Sequence, residues 1–175
     1  RDFDKKDKKL EKKMENVEKM SDSEFVSFLK EMAAYQELKE QYGAEVTVIT
    51  MGPPQAEAVL REAFAMGADR AILLTSRKFA GADTLATSNA LAGALRVLDF
   101  DLILAGRQAI DGDTAQVGPQ IAEHLGIAQV SYLEDLEFDG KKTFRIKKQL
   151  EDGYQIVEVE SPCLLTCLAS AVKPR

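Results

Sequence analysis

Between residues 45 and 126 the chain repeats one pattern three times: a short apolar or β-branched run, a turn of small residues, then apolar positions at helical spacing. That alternation restricts the fold more than any other feature. Strands separated by helices cannot close as hairpins, so they pair in parallel through right-handed crossovers. The first unit has a strand over 45–50, a turn at Met51-Gly52-Pro53-Pro54, and a helical face of Ala56, Val59, Leu60, Ala63 and Phe64 ending near Gly67. The second has a strand over 71–75 and a helix started by Asp83-Thr84, with Leu85, Ser88, Leu91, Ala92 and Leu95 in line. A third strand over 102–104 leads through Gly-Arg-Gln-Ala-Ile-Asp-Gly-Asp-Thr into a helix marked by Ile121, Ala122 and Leu125, which should stop at Gly126.

The flanks read differently. After Gly126 the runs 129–138, 143–150 and 154–160 are separated by Asp139-Gly140 and Asp152-Gly153, strong hairpin signals, and Ser161-Pro162 precedes a short apolar strand over 163–166. Before Tyr42-Gly43 lies a charged helical segment, residues 1–42. Its first twenty residues carry only a thin stripe of Leu10, Met14 and Val17, fitting a solvated helix or one that binds a partner. Ser21-Asp22-Ser23-Glu24 has the form of a capping box ahead of a second helix with Phe25, Phe28, Leu29, Met32, Tyr35 and Leu38. The remaining residues, 43–175, are expected to form one α/β domain, since 175 residues at 45% hydrophobic content suit a single core.

Charge and motif content narrow the function. A net charge of −6 without a clustered basic face argues against nucleic acid as the main partner. No apolar run reaches the roughly 18–20 residues that span a bilayer, and the acidic residues among the first twenty do not suit a signal or transit peptide. A cytoplasmic location without membrane insertion is expected. Cys163 and Cys167 suit neither a zinc quartet nor a disulfide framework and read as core residues. His124, the single histidine, lies near a helix C-terminus, an ordinary surface position for an imidazole. No phosphate-binding lysine loop, G-x-G-x-x-G or G-x-S-x-G is present, and no metal site is expected. A cofactor binder without catalytic side chains fits better than an enzyme.

In a parallel sheet, ligands collect beyond the carboxyl ends of the strands, where helix N-termini offer unpaired N–H groups. Three such ends carry small or hydroxyl residues: Met51-Gly52, the stretch 79–84, and residues 105–118. Together they suggest a pocket for a phosphate-bearing ligand. Gly106 and Gly112 permit close approach or positive φ, and Asp113 or Thr114 can cap the following helix. Pro119 leaves two starts open, at Pro119 itself or near Thr114. Asp111 and Asp113 suit loop N–H groups or ribose hydroxyls better than phosphate.

Residues 105–132, together with 46–70 and Ser161-Pro162-Cys163-Leu164-Leu165-Thr166, resemble the β (small) subunit of electron transfer flavoprotein, in its anaerobic bacterial, electron-bifurcating type. The resemblance covers about residues 37–175. It implies a three-layer, mostly parallel sheet of the adenine-nucleotide-binding type with a β-hairpin extension, here with an atypical helical N-terminus. It implies FAD, with AMP as the alternative, held by Met51, Gly52, Thr84, Thr87, Gly106, Gln108, Asp111, Gly112, Thr114, Ala115, Gln116, Val117 and Gly118. FAD is preferred because Ala115 and Val117 stand where AMP-binding members carry more polar residues. The implied partners are a larger α subunit and an acyl-CoA dehydrogenase or similar flavoenzyme. The implied role is electron transfer from NADH or such a dehydrogenase to an acceptor, with possible participation in electron bifurcation. Two departures stand out: residues 1–30 do not match the family's opening strand and lysine loop, and residue 175 falls inside the family's C-terminal recognition loop. An adenine-nucleotide hydrolase or ligase of related fold, or a cofactor-free structural fragment, are the competing readings.

Overall fold

β-Branched and apolar residues form the strands, and small-residue turns release them into helices. In the computed structural model, which describes residues 38–109 and 112–168, the order is β1 (Thr47–Met51), α1 (Glu57–Ala65), β2 (Arg70–Leu74), α2 (Thr84–Leu95), β3 (Leu102–Gly106) and α3 (Val117–Leu125), then β4 (Ala128–Phe138), β5 (Thr143–Leu150), β6 (Gly153–Glu160) and β7 (Cys163–Cys167). Short 3₁₀ turns at Pro54–Ala56 and Arg77–Phe79 precede α1 and α2. The charged segment 1–37, including its two helical stripes and capping box, lies outside the described residues.

The alternation along each strand sorts the layers. In β1, Val48 packs with Ala63 and Ala68 at α1 while Ile49 faces α2 and α3; in β3, Leu104 and Ile103 divide the same way. Helix α1 therefore covers one face and α2 with α3 the other, giving the expected three layers. The strand order goes beyond what the alternation of strands and helices specifies. Among the described residues β1 pairs only with β2, in parallel, and β3 pairs with β7 in a five-stranded sheet of order β3-β7-β4-β5-β6. Apolar periodicity fixes a strand's faces but not its neighbour, and the strand that claims β3 arrives about 60 residues later in the chain. In that sheet β3, β7 and β4 are parallel, and β4-β5 and β5-β6 are antiparallel, so the hairpin extension continues it as antiparallel strands.

Local chemistry sets the ends. The Asp83 side chain accepts from the Ala86 N–H at 2.8 Å to cap α2, and Gly126 ends α3 at φ 68°. The Asp139 carboxylate accepts from the N–H groups of Lys141, Lys142 and Thr143 and shapes the β4–β5 turn. The last helical residues before Gly43 are tied on by side chains: Lys39 Nζ donates to Asp69 at 2.6 Å, and the Tyr42 hydroxyl donates to the Phe138 carbonyl at 3.0 Å. Every residue of β7 is buried between β3 and β4, with Cys163, Leu165 and Cys167 in the core of one face and Leu164 against α3. Two residues expected inward are not. Phe64 and Leu85 are 51% and 53% exposed, because α1 and α2 bury narrower arcs than their apolar stripes suggest.

Candidate functional site

Helices α2 and α3 run side by side in the same direction, with residue 84 beside 116, 88 beside 120 and 124, and 96 beside 124. The loops that leave β2 and β3 therefore meet at one end of the molecule. Their direct contact is the Thr84 hydroxyl donating to Gln116 Oε1 at 3.0 Å. Thr87 stands one turn into α2, half-buried, its N–H on the Asp83 carbonyl at 2.9 Å.

The loop from Gly106 to Val117 is built differently from its sequence-based expectation. Gly106 is the last residue of β3, and the Arg107 N–H donates to the Cys167 carbonyl, so the loop departs from a paired strand end. Gly112 is exposed. Asp113 and Ala115 take the left-handed conformation, at φ 46° and 53°. Left-handed backbone at a non-glycine residue costs about 1–3 kcal/mol and concentrates at binding loops. Neither Asp113 nor Thr114 caps α3. The cap position is Gln116, without a side-chain cap, while Asp113 accepts from the Gln108 amide and donates its N–H to the Ala109 carbonyl. The helix begins at Val117, which puts Pro119 in the first turn, where no N–H is needed. The first-turn N–H groups of Val117 and Gly118 have no acceptor within the helix. Thr114 and Gln116 are exposed, and Ala115 and Val117 half-buried. Asp111 lies outside the described residues.

Gly118 has a packing role visible in the structure. A Cβ there would fall 2.8 Å from Thr166 Cγ2, so the bare backbone lets α3 lie against β7. Met51 closes β1 opposite Leu74, and the Gly52 N–H donates to the Leu74 carbonyl at 3.0 Å. A Cβ on Gly52 would meet Ala56 at 3.0 Å. These two residues hold the β1 end, and no side-chain hydrogen bond among the described residues joins them to the other two loops.

Two groups near this end escaped sequence reasoning. The Arg107 guanidinium lies 5.4 Å from the ring centroid of Tyr132, an exposed residue at φ 64° where β4 bulges and where its N–H donates to Thr166 Oγ1. Ser88 is fully buried, with its Oγ 3.2 Å from His124 Nε2 and 3.0 Å from Gln120 Oε1. A serine beside an imidazole invites comparison with a nucleophile pair, but a hydroxyl without solvent access holds helices together instead. The signal was present as residues four apart on each helix, though nothing local revealed that the two rows face one another.

The geometry at this end is two loops joined by a threonine–glutamine bond, with the first turn of α3 and the Arg107 guanidinium on the second loop. Among the described residues no cluster of histidine, cysteine and carboxylate suits a metal ion, and no helix is long and apolar enough to cross a membrane. Residues 32–175 match the family described as Electron transfer flavoprotein domain. The chain is similar to "Electron transfer flavoprotein subunit beta" of Clostridium acetobutylicum, 62% identical over 138 residues covering 79% of this chain and 53% of that protein. It is 57% identical to "Caffeyl-CoA reductase-Etf complex subunit CarD" of Acetobacterium woodii over 137 residues, 78% of this chain and 52% of the relative. It is 54% identical to "Acryloyl-CoA reductase electron transfer subunit gamma" of Anaerotignum propionicum over 142 residues, 79% of this chain and 53% of the relative. The chain spans about half the length of the curated relatives it matches. With a match that runs over most of its residues, the chain belongs to the electron transfer flavoprotein domain family.

Proposed function

We propose that this chain is the nucleotide-holding part of an electron transfer flavoprotein small subunit, binding FAD, with AMP as the alternative, beside a larger α subunit. The observation that carries the reading is the Thr84–Gln116 bond, which joins the loop ends of β2 and β3 beside the first turn of α3. In this arrangement the N–H groups of Val117 and Gly118 and the positive end of the α3 dipole favour a phosphate group. Arg107 supplies a full positive charge near the same loop. The left-handed backbone at Asp113 and Ala115 would curve the loop around the ligand, and the proposed set is completed by Met51, Gly52, Thr84, Thr87, Gly106, Gln108, Asp111, Gly112, Thr114 and Gln116. The half-buried Ala115 and Val117 give that wall an apolar stretch, which suits a flavin nucleotide better than the smaller AMP. A flavin held there would supply the electron-carrying chemistry, and the protein contributes binding, orientation and electrostatics.

The wider role is electron transfer between NADH or an acyl-CoA dehydrogenase and an acceptor, in the cytoplasm, without catalysis by the chain's own side chains. The relatives named for caffeyl-CoA and acryloyl-CoA reductase support a flavoenzyme acting on CoA esters as partner, and participation in electron bifurcation is part of the same proposal. Residues 1–42 would form a separate charged segment and 43–175 the binding domain. The test is to purify the chain with its α subunit, denature the complex and identify what is released. FAD in excess of one per complex, or AMP, is the expected result. No nucleotide beyond a single FAD, together with no binding of added FAD or AMP by the chain, would overturn the reading.

A further inference from the structure

The contact between α2 and α3 has two components with different consequences. Ala92, Leu95, Ile121 and Ala122 supply its apolar part, a non-directional attraction in which the two alanines let the helices lie close. The directional part is a row of hydrogen bonds at four-residue spacing on both helices. Thr84 bonds Gln116 at 3.0 Å, Ser88 bonds Gln120 at 3.0 Å, and His124 Nε2 lies 3.2 Å from the same Ser88 hydroxyl. Residues four apart share a helix face, so Thr84 and Ser88 oppose Gln116, Gln120 and His124 as successive rungs. At the far end Arg96 Nη2 donates to the His124 carbonyl at 2.6 Å.

Proton counting constrains the middle rung. Ser88 Oγ lies 3.0 Å from the Leu85 carbonyl and 3.0 Å from Gln120 Oε1, both acceptors, and has one hydrogen to share between them. With the Gln120 amide in that orientation, the contact to His124 is a hydrogen bond in the tautomer that carries its proton on Nε2 and donates to the serine. The buried hydroxyl then holds both helices at once, and because Ser88 is fully buried, losing its partners leaves its oxygen unsatisfied.

We propose that Ser88, Gln120 and His124 are positioning residues for the nucleotide site: they lock the axial register of α2 against α3 and so hold Thr84 and Gln116 one turn away at the ligand. This rests on the reading of that end as a nucleotide site. Its test is a double-mutant cycle on the full chain, with FAD and AMP titrated separately by calorimetry. Ser88→Ala should weaken binding of whichever nucleotide binds by about three- to tenfold. In a Thr84→Val background the same change should have no further effect, because the rung it positions is gone. His124→Leu should repeat the loss and His124→Gln, which keeps a donor, should restore most of the affinity; this pair also serves if Ser88→Ala fails to fold. Unchanged affinity in Ser88→Ala and His124→Leu overturns the positioning role, as does an equal loss with and without Thr84. If the unaltered chain binds neither FAD nor AMP, the site reading itself fails, a result distinct from binding that ignores Ser88.

Discussion

Replacing Gly118 with alanine tests a close approach of α3 to β7. The new methyl would stand 2.8 Å from Thr166 Cγ2, while Leu164 and Ala105 are at ordinary contact distances of 3.6 and 3.7 Å. Thr166 cannot yield freely. It is 2% exposed, and its Oγ1 accepts from the Tyr132 N–H at the β4 bulge, at 3.2 Å. Overpacking of this kind costs about 1–3 kcal/mol. Alanine's better helix propensity offsets up to about 1 kcal/mol, which leaves a net loss of about 1 kcal/mol. At about 2–4 °C per kcal/mol for a chain of this size, the melting temperature should fall by a few degrees. Thr166→Ser keeps the hydroxyl for Tyr132 and deletes the obstructing methyl, losing about 1 kcal/mol by itself. The double substitution exchanges one methyl for another in the same space and should recover most of the stability, with a coupling of about 1–2 kcal/mol in urea denaturation. A Gly118→Ala protein as stable as the parent, or additive effects in the cycle, would refute the close-approach argument.

Acid should release two carboxylate anchors. Asp139 is held below the ordinary aspartate value of 3.8 by the N–H groups of Lys141, Thr143 and Lys142, and Asp69 by the Lys39 ammonium and the Val46 N–H. For a depressed carboxylate the contribution is fully present above the unfolded value and vanishes as pH falls through the lower folded one. Stability should therefore drop below about pH 3.8 less steeply in Asp139→Asn than in the parent, as read by denaturation at stepped pH. Burial pushes the Cys163 thiol up to about 11, so at pH 8 it should react with a thiol reagent only as fast as the fold opens. Labelling that is rapid under native conditions would contradict the burial. Ala115→Asn should stabilise by up to about 1 kcal/mol, because asparagine tolerates the left-handed region better than alanine. A destabilised Ala115→Asn protein would mean that the positive φ is not the conformation held in solution.

The features legible in the sequence were those decided within a few residues. Asp83 capping α2, Gly126 stopping α3 and the Asp139-Gly140 turn follow from side-chain chemistry at the position itself. The strands and helices of the three βα units fell at or within two residues of their expected places. What the sequence concealed depends on distant partners. Nothing near Leu102 indicates that β3 pairs with β7, since that choice is made by the burial of Cys163, Leu164 and Leu165 in a strand that arrives only after β4, β5 and β6. The loop conformation was hidden for another reason. Glycine is the residue that takes positive φ most readily, yet the left-handed backbone falls on Asp113 and Ala115, at the alanine against residue preference. Ser88 and His124 looked ordinary alone and acquire meaning only across the α2–α3 contact.

The separation of β1-β2 from the five-stranded sheet bears on how the proposed site behaves in time. Among the described residues no strand-to-strand hydrogen bonds cross between the two units; side chains such as Ile49 and Leu104, and the Tyr42 hydroxyl on the Phe138 carbonyl, hold them together. Cooperative units joined through side chains rather than a strand ladder can open independently, so amide exchange should be faster and separately controlled in β1 and β2 than in β7. A nucleotide touching both Met51-Gly52 and the loop after Gly106 would span that divide. Its affinity would then contain the free energy of keeping the two units closed, and the ligand would act as the missing crosspiece that makes them exchange as one.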